Sequence, residues 1–170
     1  MESKNELKYI FANINEWLKF AEAKHGGLIV LNVALVVGIL SSYPSISHCI
    51  FKPSILLGMV CFGISIFLSL LSQFPVTQNI FHNIKVINNP NLYFFGHICH
   101  FDKDAFVNHL KTADSSFVSN KLDEDLINQI LVNARITQAK YSFFKFASYS
   151  TAFGIGIIGF SSIIKILWHF

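Results

Sequence analysis

Apolar residues gather into three long runs, Gly26 to Tyr43, Ser54 to Phe74 and Phe146 to Trp168. A helix needs roughly 20 predominantly apolar residues to cross a hydrocarbon core, and the second and third runs have them; the first is at the short end. Between the runs, apolar positions recur at helical spacing instead. Leu7, Ile10, Phe11, Ile14, Trp17, Leu18 and Ala21 form a stripe within residues 1–25, with lysines and glutamates in the other positions. The pattern predicts an amphipathic helix that lies at the membrane interface or packs in a bundle. Farther on, Leu122, Leu126, Ile130, Ala134 and Tyr141 share a face, flanked by Ile127 and Leu131, while Glu124, Asn128, Arg135 and Gln138 keep the rest polar. No proline follows Pro90 and no glycine lies between Gly96 and Gly154. Residues from Leu122 to the third run therefore predict one nearly continuous helix, in water at its start and in lipid at its end.

These elements imply an all-α membrane protein. Three transmembrane helices accompany a small cytosolic helical module, whose last helix continues into the third span. The expected organisation is an amphipathic cytosolic helix over 1–25 and a transmembrane hairpin over 26–75, with spans at about 26–43 and 54–74. A cytosolic module over 76–142 and a C-terminal transmembrane helix over 143–170 complete it. Gly26-Gly27 is expected to loosen the junction into the first span or to admit a neighbouring helix. Pro44 and Pro53 punctuate an outer link from Ser41, and Pro75 closes the second run, with Thr77 to Ile87 as a candidate extension of its helix. Asn88-Asn89-Pro90-Asn91 is a break, and Leu92 to His100 reads as either extended or a helical turn. Asp102 is placed to cap a helix carrying Phe106, Val107 and Leu110, and Asn120, with Asp123 three residues on, to cap the final one.

Composition strengthens the membrane reading: 52% of the 170 residues are hydrophobic, unusual for a soluble domain. The net charge of +3 implies no basic surface for nucleic acid. Lysines and arginine are unevenly placed. Lys4, Lys8, Lys19 and Lys24 precede the first run and only Lys52 lies in the first link, whereas Lys85, Lys103, Lys111, Lys121, Arg135, Lys140 and Lys145 lie between the second and third. The positive-inside rule puts the N-terminus and residues 76–142 in the cytoplasm, with Lys165 snorkelling and Trp168 at the far interface. Some 25 polar-rich residues before the first run, and no small-x-small site after it, argue against a cleaved signal peptide. Cys49, Cys61 and Cys99 form no paired spacing, so a disulfide framework is not expected.

Candidate chemistry is sparse. Gly154, Gly156 and Gly159 match G-x-G-x-x-G, but no βαβ unit surrounds them and they lie inside an apolar run. Packing explains them better, because Ser148, Ala152, Gly156 and Gly159 form a small-residue strip suited to close helix contact, within the chain or between copies. Asn32 in the first run calls for an interhelical hydrogen bond, with a pore-lining role as the other reading. Ser65, Ser69 and Ser72 can bond to their own backbone or line a packing face. His97, Cys99 and His100, even with His82 or His109, fit no standard zinc spacing, and no metal or cofactor is expected. Nothing resembles a catalytic triad, a P-loop or paired carboxylates, so no enzyme is expected. The remaining candidate is a ligand site from Phe95, His97, Asn133, Arg135 and Lys140, where cations hold a phosphate and aromatic rings stack a base. The same final-helix residues are equally those of a bundle face beside a positive-inside membrane surface.

Three phrases bear a wider resemblance. They are Trp17-Leu18-Lys19-Phe20-Ala21-Glu22-Ala23-Lys24 running into Leu28-Ile29-Val30-Leu31-Asn32, then Asn91 to Ile98 followed by Asp104-Ala105-Phe106, and Asp125 to Ile130 continuing through Asn133-Ala134-Arg135-Ile136 to Lys140-Tyr141. In matching order they resemble the membrane effectors of bacterial Pycsar anti-phage systems. The resemblance implies a sensor–effector of the bacterial inner membrane. In those systems a partner nucleotide cyclase makes a cyclic pyrimidine mononucleotide during infection and the effector impairs membrane integrity, arresting growth or aborting infection; related membrane effectors answer other cyclic nucleotides or oligonucleotides, which leaves the ligand open. On this view the partners are the cyclic nucleotide, membrane lipids and further copies of the chain on activation. The other classes open at this point are a small membrane anchor or complex subunit without a ligand, and a constitutive holin-like pore.

Overall fold

The computed structural model describes residues 2–42, 51–74 and 87–168, without the side chains of 2–4, 51, 165 and 168. Among the described residues the elements are all helices: α1 Glu2–Ser42, α2 Phe51–Leu71, α3 Phe95–Ile98, α4 Lys103–Ala113 and α5 Lys121–Trp168. Helices α1, α2 and α5 are long and apolar enough to cross a membrane. The protein is thus an all-α membrane protein with three transmembrane helices, the last of them prolonging a helix that starts outside.

At 48 residues, α5 runs unbroken through Gly154, Gly156 and Gly159. Its start is closed by the reciprocal cap: the Asn120 amide donates to Asp123 Oδ2 at 3.1 Å and the Asp123 amide to Asn120 Oδ1 at 3.0 Å. Asp102 caps α4 through a 2.7 Å bond from the Ala105 amide. Helix α1 corrects one expectation, because it spans 41 residues without a joint at Gly26-Gly27. Nothing lies within 4 Å of a Cβ built at either glycine, so neither marks a close approach. Each costs about 1 kcal/mol against alanine, too little to break a helix carried by long favourable flanks. The first helix also runs farther than expected. Ser41 and Ser42 still belong to α1, bonding back to the Val37 and Gly38 carbonyls. Pro53 sits in the first turn of α2, where its missing N–H removes no helical bond. Pro44, Cys49, Pro75, His82, Lys85 and the expected extension from Thr77 lie outside the described residues, as do the Lys165 and Trp168 side chains.

The chain divides into two compact units, residues 1–22 with 75–141, and residues 23–74 with 142–170. Both α1 and α5 belong in part to each unit, and neither helix is interrupted at the division.

In the first unit the sequence stripes close on one apolar core. Leu7, Ile10 and Ile14 of α1 meet Phe95 and Ile98 of α3, Phe106 of α4, and Ile127, Ile130, Leu131 and Ala134 of α5. Leu122 departs from its expected face: it is 77% exposed, and burial along α5 begins at Asp123 and Ile127. Leu92 to His100, ambiguous in sequence, is a turn followed by the single-turn helix α3.

The second unit reverses that arrangement. Asn32, Ser65 and Thr151 are buried in its interior, while Val30, Leu56, Phe67, Phe153 and Phe160 face outward. Asn32 Nδ2 donates to Ser65 Oγ at 3.1 Å, and the Thr151 hydroxyl lies 3.0 Å from Asn32 Oδ1 and 2.8 Å from Ser65 Oγ. This is the interhelical bond expected of Asn32, with Thr151 as an unforeseen third member. Close helix approach occurs elsewhere than on the expected strip. A Cβ on Gly154 would lie 2.8 Å from the Phe62 ring and 3.1 Å from the Gly58 carbonyl, and one on Gly58 would strike Ile158. Ala152, Gly156 and Gly159 are exposed and Ser148 is half-buried. Sequence spacing put these small residues on a shared face but could not say which face meets another helix.

Candidate ligand cleft

The segment before α3 is shaped by its own side chains. Asn89 adopts a left-handed φ of 51°, which asparagine tolerates better than most residues. Asn91 Oδ1 accepts from the Tyr93 amide at 2.9 Å, and the Asn91 amide donates to His97 Nδ1 at 3.0 Å. The turn is then fastened to α1 three times. Asn13 Nδ2 donates to the Tyr93 carbonyl at 2.8 Å, the Tyr93 hydroxyl donates to Glu6 Oε2 at 2.6 Å, and the Tyr9 and Tyr93 rings meet edge-on at 5.8 Å.

Beside this fastening opens a cleft of about 960 Å³, at the upper end of the usual range for small-molecule sites. Its walls are Glu6 and Ile10 of α1, Pro90 to Tyr93 of the turn, Leu110 and Ala113 at the end of α4, and Asp114, Ser116 and Phe117 beyond it. Two carboxyl groups, an amide, a phenol and a serine supply its side-chain polarity, and among the described residues no lysine, arginine or histidine lines it. Hydrogen bonds from the Ser116 hydroxyl and amide, at 2.6 and 2.9 Å, hold the Asp114 carboxyl below the usual carboxylate range. Tyr93 is pushed above the ordinary phenol value, first by its bond to Glu6 and then by burial. At neutral pH the cleft therefore holds a charged Asp114 and a protonated Tyr93.

The residues expected to contact a ligand lie outside this cleft, each engaged with a different partner. Phe95 is buried and stacked on Tyr141 at 5.1 Å, with Trp17 at 5.7 Å. His97 holds the Asn91 amide and stands edge-on to Phe94. Asn133 donates to Asn15 Oδ1 at 2.7 Å and accepts from Gln129 at 3.1 Å. Lys140 is 6% exposed, 3.2 Å from Glu22. Arg135 donates through Nη2 to the Phe101 carbonyl at 2.8 Å, while its Nε is buried without a partner. Burial lowers the Arg135 pKa, opposed by nearby Cys99 and Asp102, and the guanidinium stays charged at neutral pH. Lys103 pairs with Glu124 at 2.9 Å.

The cleft was not evident in sequence because three distant stretches build it. Glu6 read as the polar flank of a stripe, Asn91 as part of a break and Asp114 as one residue between two expected helices; only their juxtaposition makes a site. Among the described residues no group of three or more histidine, cysteine, aspartate or glutamate side chains could hold a metal ion. His109 packs against the Phe101 ring at 4.9 Å.

A family model described as the Pycsar effector protein domain matches residues 6–167, drawing on both units. Comparison with curated proteins finds no match, and neither does comparison with solved structures.

Proposed function

The chain belongs to the Pycsar effector family, and from that membership we propose that it is an anti-phage effector gated by a cyclic nucleotide. The nucleotide, a cyclic pyrimidine mononucleotide made by a partner cyclase, binds the first unit, and the second unit then impairs the integrity of the bacterial inner membrane. No catalysis by the chain itself is needed. The observation that carries this reading is the extent of the family match, which takes in a cleft-bearing unit and an outwardly apolar one together. The lysine and arginine asymmetry favours a cytoplasmic N-terminus and a cytoplasmic 76–142 segment, the side on which nucleotides are made.

Gating needs a ligand that prefers one conformation, since one binding both equally shifts nothing. Two helices common to both units provide covalent routes for that preference. Copies then associate through outward faces that include Ala152, Gly156 and Gly159.

Expression with and without a nucleotide cyclase, following growth and dye entry, tests the proposal. Arrest and dye entry only with the cyclase are expected. Arrest from the chain alone would mark a constitutive pore, and no response in either case would mark a ligand-free anchor. Val118, 81% exposed, gives the test of sidedness: in a Cys49→Ser background, Val118→Cys should resist an impermeant thiol reagent applied to intact cells. Strong labelling there would place the receptor unit on the wrong side.

A further inference from the structure

The charge of the cleft selects among ligands. A cyclic mononucleotide has an anionic phosphate and a planar base, and these ask opposite things of a site. The phosphate seeks arginine, lysine or a cluster of backbone N–H groups, yet among the described residues no basic side chain lines this cleft and two carboxyl groups do. The described walls therefore favour the open mouth for the phosphate. The base fits the interior, where Ile10, Leu92, Leu110 and Phe117 give an apolar wall. Glu6 Oε2 is occupied by Tyr93 and Asp114 Oδ1 by Ser116. Among the described residues the other carboxyl oxygen of each, Glu6 Oε1 and Asp114 Oδ2, accepts no hydrogen bond. Acceptors without donors are suited to a base edge that presents N–H groups. They disfavour a carbonyl, whose lone pairs would face theirs.

We propose that this cleft is the base subsite of the effector and that it takes a nucleobase with an exocyclic amino group, rejecting the oxo edge of uracil. The proposal rests on the cyclic-nucleotide reading above. Cytosine and uracil are the decisive pair, because they differ at ring position 4, amino in one and oxo in the other, and in whether N3 carries a proton. Glu6 and Asp114 receive the amino hydrogens, and the Asn91 side-chain amide is available to the 2-oxo group that both bases share. The Ser116 bonds that keep Asp114 ionised keep it an acceptor throughout the neutral range.

The test is calorimetric titration of the full chain in lipid nanodiscs with cyclic cytidine monophosphate and cyclic uridine monophosphate. The cytidine nucleotide should bind at least about tenfold more tightly, the discrimination expected of one well-placed hydrogen-bonded base edge. Raising salt should leave its affinity unchanged or improve it, since the phosphate approaches acidic walls. The double variant Glu6→Gln, Asp114→Asn, checked for helicity by circular dichroism, should lose the preference. Equal or tighter binding of the uridine nucleotide, an affinity that falls with salt, or an unchanged preference in the folded double variant would overturn the subsite and leave nucleotide gating standing. If neither nucleotide binds, nucleotide gating fails and the subsite with it. The comparison of the two nucleotides on the unaltered chain decides the matter even if the variant does not fold.

Discussion

Two regions built partly from the same helices obey opposite rules of burial. In its first 22 residues α1 buries Leu7, Ile10, Ile14 and Ala21; beyond them it buries His25 and Asn32 and turns Val30, Leu31 and Val33 outward. Helix α5 repeats the change, burying Ile127 and Ile130 early and Thr151 later, with Phe153 and Phe160 exposed. A change of solvent accounts for this. Water drives apolar side chains into the first unit. In lipid that force between helices vanishes, and close contact and hydrogen bonds hold them together instead. The lesson is that a single helix can serve two environments without a break, provided its buried face changes character where the solvent does.

The comparison breaks most sharply in the core of the first unit. Phe106 is fully buried there and stacks on Phe101 at 6.2 Å. Phe106→Ala should cost about 3–5 kcal/mol, read as a lower denaturant midpoint for the protease resistance of residues 87–141. Next in size is a pair of substitutions at two exposed valines. Val60, near the middle of α2, is 50% exposed and Val118 is 81% exposed. If exposure means lipid at one and water at the other, Val60→Asp should raise the apparent insertion free energy of the 51–71 segment by about 3–4 kcal/mol, measured with a glycosylation reporter. Val118→Asp should change unfolding by no more than about 0.5 kcal/mol. Equal effects at the two sites would remove the distinction between the units.

Periodicity made much of this legible. The stripe ending at Ala21, the three apolar runs, the unbroken final helix and both capping residues, Asp102 and Asn120, follow from local spacing and local hydrogen bonding. What local spacing could not supply was partnership. Asn32 announced a need for a hydrogen bond, but Thr151 lies 119 positions away and reads as ordinary helix. The small-residue strip was visible as a face, whereas the neighbour that chooses Gly154 over Gly156 lies on another helix. Lys140 and Asn133 resembled ligand contacts because Glu22 and Asn15, their partners on α1, are remote in sequence. The cleft failed to register for the same reason, with Glu6, Asn91 and Asp114 each unremarkable alone.

The smallest expected effect bears on the interior of the second unit. Asn32, Ser65 and Thr151 link three helices, and each is 3% exposed or less. Removing Asn32 alone confounds its bonds with the buried hydroxyls it leaves short of a partner, so the informative measurement is a double-mutant cycle of Asn32→Ala with Thr151→Val. Intramembrane hydrogen bonds of this kind average about 0.6 kcal/mol and reach about 1.7 kcal/mol. A coupling of that size in bilayer unfolding is expected here, towards the upper value because Thr151 also reaches Ser65. It should greatly exceed the coupling of Asn32 with Ser162, whose hydroxyl bonds within its own helix to the Ile158 carbonyl at 2.8 Å. Indistinguishable couplings would mean that the polar interior is merely tolerated and that shape alone, at contacts such as Gly58 with Ile158, aligns the three helices.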